Sequence, residues 1–304
     1  MSADASAPLI KNEDSPRGFA FALTAYLLWG FLPIYMKAVA HISPAEVIAH
    51  RIVWSLPLAG IVLLVLGRTQ DIKVALRSPR MLAMAMMTAA LITVNWGTYV
   101  WAIGAGHSLD AAMGYFINPL FSIFLGAVLL KEKLQPLQIA AICLAGLAVV
   151  VLAFDSGGIP WVALTLAFSW GFYALFRKTL PLGPNQGFFL EVLILSLPAL
   201  LYILYLEFVS GEGHFYRTGF SDTALLLGCG LITAVPLMIY ANGAKLLRLS
   251  TIGIMQYIAP TMIFLIAVFV FHEEMDTARM IAFPLIWAGL FLYSWSMLTT
   301  TRGR

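Results

Sequence analysis

The chain has 304 residues, of which 61% are hydrophobic and 11% charged, and its formal net charge is +3. Soluble domains carry about 25% charged residues, so this composition excludes an ordinary water-exposed globule and fits a surface that faces lipid. No basic run marks a nucleic-acid interface, and Cys143 and Cys229, both inside apolar stretches, form neither a disulfide framework nor a metal site.

Residues 1–16 are small and polar, lack the apolar core of a secretory signal, and read as a disordered cytoplasmic tail. Ten apolar segments follow, each near the ~20 residues that a bilayer core demands of a helix. They run over 18–39, 44–66, 80–103, 110–130, 136–154, 158–176, 186–208, 222–243, 250–271 and 277–299. Ser43-Pro44 opens the second and Ser78-Pro79 the third, while Asp110 and Ser250-Thr251 are placed to cap the fourth and ninth. Residues 300–304 form a second cytoplasmic tail. The predicted fold is an all-α integral membrane protein of ten transmembrane helices.

The segments repeat. Trp29-Gly30-Phe31 recurs as Trp170-Gly171-Phe172, Ser55-Leu56-Pro57 as Ser196-Leu197-Pro198, Tyr99 as Tyr240, Pro119 as Pro260 and Glu132 as Glu273, all at an offset of 141. Residues 17–155 and 156–299 are therefore two copies of a five-helix unit. Five is odd, so the second copy enters the membrane from the opposite face. Inverted repeats of this kind build secondary transporters, whose substrate sites lie between the halves.

Charge in the loops and tails sets the orientation. One side holds fourteen cations: Lys11, Arg17, Arg68, Lys73, Arg77, Arg80, Lys131, Lys133, Arg177, Lys178, Lys245, Arg248, Arg302 and Arg304. The other side holds three, Lys37, Arg217 and Arg279, and Arg51 lies within a span. Both termini are predicted to be cytoplasmic.

Five stretches resemble the EamA-type carriers of the drug/metabolite transporter superfamily, in particular its RarD branch, named for an association with chloramphenicol sensitivity. They are Trp29-Gly30-Phe31, Ala49-His50-Arg51-Ile52-Val53-Trp54-Ser55, Asn95-Trp96, Gly114-Tyr115-Phe116-Ile117-Asn118-Pro119-Leu120 and Gln256-Tyr257-Ile258-Ala259-Pro260-Thr261. The likeness spans about residues 17 to 299 and implies a ten-helix carrier of a bacterial-type inner membrane, with both termini on one side. Lys131 and His272, just before the paired glutamates, depart from the small or neutral residues expected there.

An ionisable residue inside a span is costly and is a functional candidate by default. Arg51 lies about seven residues into the second span, on the outer side of the midplane, and aligns by the repeat with Val192. It either binds an anionic group of a substrate or locks neighbouring helices through hydrogen bonds. Glu191 and His50, which align with each other, are the proton-coupling candidates. The alternative for Glu191 is a solvated carboxylate or a pair with Arg177 or Lys178. Asn95 and Tyr99 share one helix face, and Tyr115 and Asn118 another. Gln256 and Tyr257 sit at matching depth in the second repeat. These polar groups line a cavity or hold helices together, and Asn118 alternatively satisfies a carbonyl freed by Pro119. Trp29 pairs with Trp170 through the repeat, either as a wall for the solute or as packing. Trp101 and Trp161, near span ends, read as interface anchors.

The leading function is a secondary carrier that exports a small metabolite or amphipathic drug by alternating access, with possible proton coupling. Competing readings are a flippase for a lipid-linked substrate, which requires a lateral opening near Arg51, a membrane-embedded enzyme, and a non-transporting assembly or sensor protein. The five histidines show no ligand spacing, and no HExxH, Walker or Ser-His-Asp arrangement occurs, so no cofactor and no metal is expected. The partners are a small-molecule substrate and the bilayer, and the choice between monomer and homodimer stays open.

Overall fold

The computed structural model describes residues 15–129, 134–155, 159–244, 246–247, 251–252 and 255–302. Most of the N-terminal tail, the last two residues, Lys131, Glu132, Lys133, Lys245, Arg248 and Ser250 lie outside them. The described chain is helical throughout, with no strand. Its helices are α1 (Pro16–Ala38), α2 (Pro44–Val65), α3 (Gln70–Leu76), α4 (Pro79–Gly104), α5 (Ser108–Leu129) and α6 (Pro136–Asp155), then α7 (Trp161–Thr179), α8 (Pro184–Tyr205), α9 (Phe220–Ala244), α10 (Ile258–Phe269) and α11 (Thr277–Arg302). A π turn, Leu206–Ser210, extends α8.

Three helices start on the same device. Ser15, Ser43 and Ser78 each accept a backbone N–H three residues on, at 2.9, 3.2 and 3.4 Å, and proline follows each serine. The hydroxyl satisfies one orphan donor, and proline at the first helical position loses no bond because its missing N–H would be unpaired anyway. Among the described residues eight helices are long and apolar enough to cross a membrane: α1, α2, α4, α5, α6, α8 with its π turn, α9 and α11. The sixth and ninth predicted spans are occupied by α7, 19 residues long, and α10, an apolar helix of 12. The short α3 lies between the second and third predicted spans.

Helix packing follows the repeat. In sequence order α1, α2, α4, α5 and α6 correspond to α7, α8, α9, α10 and α11. Helix α1 packs on α9 and α10, while its counterpart α7 packs on α4 and α5; α2 meets α8, α5 meets α10, and α6 meets α11. Exchanging the halves maps α1–α9 onto α4–α7 and α1–α10 onto α5–α7, and each of the other three contacts onto itself. The match is least equal where α2 lies extensively along α9, whereas α4 and α8 touch far less.

Lipid is as apolar as leucine, so helices associate here through close packing rather than through burial from water. Two glycines show how close. A Cβ on Gly114 of α5 would lie 2.7 Å from the Ala163 carbonyl oxygen of α7, and one on Gly230 of α9 would lie 2.5 Å from the Trp54 carbonyl oxygen of α2. Large side chains such as Phe31, Leu64, Phe154 and Phe220 face outward. The Trp101 and Trp161 rings lie 4.9 Å apart at neighbouring helix ends, with His107 stacked on Trp101.

Candidate functional site

Arg51 is 3% exposed. Its Nε donates to Thr233 Oγ1 of α9 at 2.9 Å, and that hydroxyl donates onward to the Cys229 carbonyl at 2.8 Å. The guanidinium carbon lies 4.6 Å from the Trp96 ring centroid. Among the described residues no carboxylate pairs with Arg51, and its Nη1 has no hydrogen-bond partner. A permanently charged group thus sits in the bundle with one hydroxyl and one aromatic face for company.

Tyr99 and Tyr115 lie within electrostatic reach of that charge. Their rings are 5.8 Å apart. Tyr115 donates to Asn95 Oδ1 at 3.1 Å, and Asn95 Nδ2 donates to the Leu166 carbonyl and Ser169 Oγ of α7 at 3.1 and 3.0 Å. The buried Tyr99 hydroxyl has no partner among the described residues. Four of the residues singled out from sequence, Arg51, Asn95, Tyr99 and Tyr115, therefore form one centre built by α2, α4, α5, α7 and α9. The free Nη1 of Arg51 can only donate, and the Tyr99 hydroxyl can donate as well, which suits an acceptor-rich anionic group.

The other candidates lie elsewhere. Trp29 packs with Tyr26 and Tyr240 between α1 and α9, at centroid distances of 5.6 and 5.4 Å. Gln256 and Tyr257 form the turn entering α10. Tyr257, whose buried hydroxyl has no partner among the described residues, lines an open groove of about 470 Å³ with Phe116, Thr261, Trp287, Leu290 and Phe291. Asn118 is buried with its Oδ1 unpaired among the described residues. His50 Nδ1 accepts from Trp54 Nε1 at 2.9 Å, and its ring stacks on Phe215 at 5.0 Å. The indole only donates, so a neutral His50 carries its proton on Nε2, which has no partner among the described residues. Glu191, 1% exposed, accepts from Tyr173 at 3.1 Å and lies 3.4 Å from Arg177 Nε, the pairing that the sequence offered as its alternative.

Sequence reasoning missed Thr233, Ser169 and Trp96 as parts of the centre, although Trp96 stands beside Asn95 in one of the motifs. It also missed a set of charge-assisted bonds between the two halves on the side assigned as outer. Glu46 accepts from the His214 backbone N–H at 2.7 Å and pairs with its Nδ1 at 2.9 Å; His41 meets Asp222 at 3.0 Å; Arg279 meets Asp110 at 3.1 Å. Asp110, expected as the cap of its helix, lies in the first turn instead. The cap is Glu273, which accepts the N–H groups of Ser108 and Leu109 at 2.8 and 2.9 Å. A carboxylate there also meets the positive end of the helix dipole. His272, noted as unusual in sequence, adopts a left-handed backbone with φ 55, a conformation that favours glycine. Every one of these bonds joins residues before 156 to residues after 160.

Opening that end requires breaking charge-assisted bonds. Losing the Glu273 pair removes roughly 1.5–3 kcal/mol. In a Cys143→Ser background, Glu273→Ala is expected to speed maleimide labelling of the buried Cys229 in detergent by about tenfold. A labelling rate equal to that of the parent would mean that these bonds do not limit opening.

The EamA-like transporter family profile matches residues 16–154 and again 158–295. The chain is 40% identical to protein RarD of Streptomyces exfoliatus over 96% of this chain and 93% of that protein. It is 35% identical to protein RarD of Escherichia coli K12 over 94% of this chain and 96% of that one. One solved crystal structure superposes with a TM-score of 0.59 at 20% identity, over 92% of this chain and 96% of its own, which carries the fold alone.

Proposed function

The chain belongs to the EamA-like transporter family, a multi-pass membrane transporter of the drug/metabolite superfamily, and on that premise we propose that it exports a small metabolite or amphipathic drug bearing an anionic group. Membership points to transport rather than catalysis. The observation that carries the substrate reading is Arg51, a buried guanidinium with no paired carboxylate among the described residues and a free Nη1, beside Trp96 and the unpaired Tyr99 hydroxyl. A carboxylate or phosphate would complete it, and the aromatic walls suit an amphipathic body.

In this reading ten helices cross the membrane as two inverted repeats, residues 17–155 and 156–299, with both termini cytoplasmic. The extensive α2–α9 contact, the sparser α4–α8 contact and the charge-assisted bonds at the outer end fit a carrier closed to the outside. Glu191 and His50 are the proposed proton-coupling groups. Protonation of Glu191 would remove the partner of Arg177 and loosen the α7–α8 end. Asn118, Gln256, Tyr257 and Trp29 are proposed to line the path in other states of the cycle.

Untargeted metabolite profiling of the medium, from cells overexpressing the chain beside cells with empty vector, tests the reading. One solute class is expected to accumulate outside, and to do so less once the proton gradient is collapsed. Matching media would overturn export, and accumulation indifferent to the gradient would overturn proton coupling. A flippase for a lipid-linked substrate is the second reading, favoured by the groove at Tyr257 and Trp287, although Arg51 does not line it.

A further inference from the structure

We propose that α3 and its flanks form a docking site for the headgroup of an anionic phospholipid. Arg68, Lys73, Arg77 and Arg80 fall within thirteen residues and are all exposed. None forms an ion pair among the described residues. The only carboxylate in the run, Asp71, accepts from Gln186 Nε2 of α8 at 2.9 Å. The stretch thus carries four cations against one carboxylate, a net charge of +3.

The stretch is held in place rather than dangling. Ile72 and Ala75 are 7% and 0% exposed, and α3 packs on α4 and α8. Val74 and Leu76 face outward, and so do Leu64, Val65 and Leu66 where α2 ends. Because α3 directly joins two membrane-crossing helices, its place is the lipid–water boundary. A free anion would answer the charge but leave the apolar side chains uncovered. A phospholipid supplies both a phosphate for the guanidinium forks and acyl chains for the leucines and valines. Lys73 and Arg77 are four residues apart, near enough on one face to share a headgroup. Asp71–Gln186 ties this surface to the second half of the chain, so a bound lipid would brace α8 against the first half. The inference needs only that the flanking helices cross a membrane and is independent of the transport reading.

The test uses the full chain in detergent, with phosphatidylglycerol or phosphatidylcholine added and the retained lipid counted by native mass spectrometry. The parent is expected to retain phosphatidylglycerol in preference. Arg68→Gln, Lys73→Gln, Arg77→Gln and Arg80→Gln together are expected to lower that retention by about tenfold, at an unchanged Tm. Should that variant not fold, Lys73→Gln with Arg77→Gln, which leaves the buried face of α3 intact, is expected to show an intermediate loss. Parental retention in the folded variant, or equal retention of both lipids by the parent, would overturn the proposal. So would full displacement of phosphatidylglycerol by inorganic phosphate, which would assign the cations to a free anion.

Discussion

Arg51→Met is expected to reduce transport to background while leaving the protein about as stable as the parent. A charge at this depth costs roughly 2.5–3.5 kcal/mol on insertion scales. Against that stand one charge-assisted hydrogen bond, to Thr233, and one cation–π contact, on Trp96. These are worth about 1.5–3 and up to about 2 kcal/mol. The balance is near zero, because no carboxylate adds to what repays the desolvation. Methionine has nearly the reach of arginine, carries no charge and adapts to irregular space, so the bundle loses little. The substrate loses its counter-charge entirely. Arg51→Lys keeps the charge but not the planar fork that stacks on Trp96 and offers paired donors, so intermediate transport is expected. Solute flux and thermal denaturation on the same preparations decide the matter. Parental flux in Arg51→Met would remove Arg51 from the site, and a large fall in Tm with it would make the guanidinium a lock between α2 and α9.

The second large effect is expected at Glu191. Removing one partner of a buried ion pair costs about 3–5 kcal/mol, since the other charge is left uncompensated. Arg177 is 15% exposed at its side chain and also donates to the Pro184 carbonyl at 2.7 Å. Both reduce the cost, so Glu191→Gln is expected to destabilise by about 2–3 kcal/mol. Adding Arg177→Met removes the stranded cation and is expected to recover most of the loss. Denaturation of the two variants measures the pair, and their flux with and without a proton gradient measures coupling. A stable Glu191→Gln protein would mean that the pair contributes nothing. Gradient-driven flux surviving in that protein would remove Glu191 from proton coupling.

How much of this was legible in the sequence differs from residue to residue. Ser43 and Ser78 capped the helices that follow them as expected, because a cap is decided by neighbours in the chain, whereas Ser15, assigned to the tail, also proved a cap. The Glu191–Arg177 pair was one of two stated options, since its members lie fourteen residues apart on consecutive helices. The Glu273 cap on α5 was invisible, as 164 positions separate it from Leu109. Arg51 was marked by its charge, yet its contact with Thr233, 182 positions away, was not. Trp29 matched the depth of a site residue, but its ring went to Tyr26 and Tyr240.

The sequence by itself determined the all-helical class and the repeat. Apolar length and a constant offset are properties of the linear chain, and the bilayer forces every backbone bond inside a helix. Only the tertiary structure decided which polar groups meet, which stay unpaired and at which end of the bundle charged groups of the two halves bind one another. Those outcomes depend on the rotation of each helix about its axis and on which helix lies beside it. In lipid both are set by close steric fit at contacts such as Gly114 on Ala163 and Gly230 on Trp54, and such fit leaves no periodic trace in a single sequence.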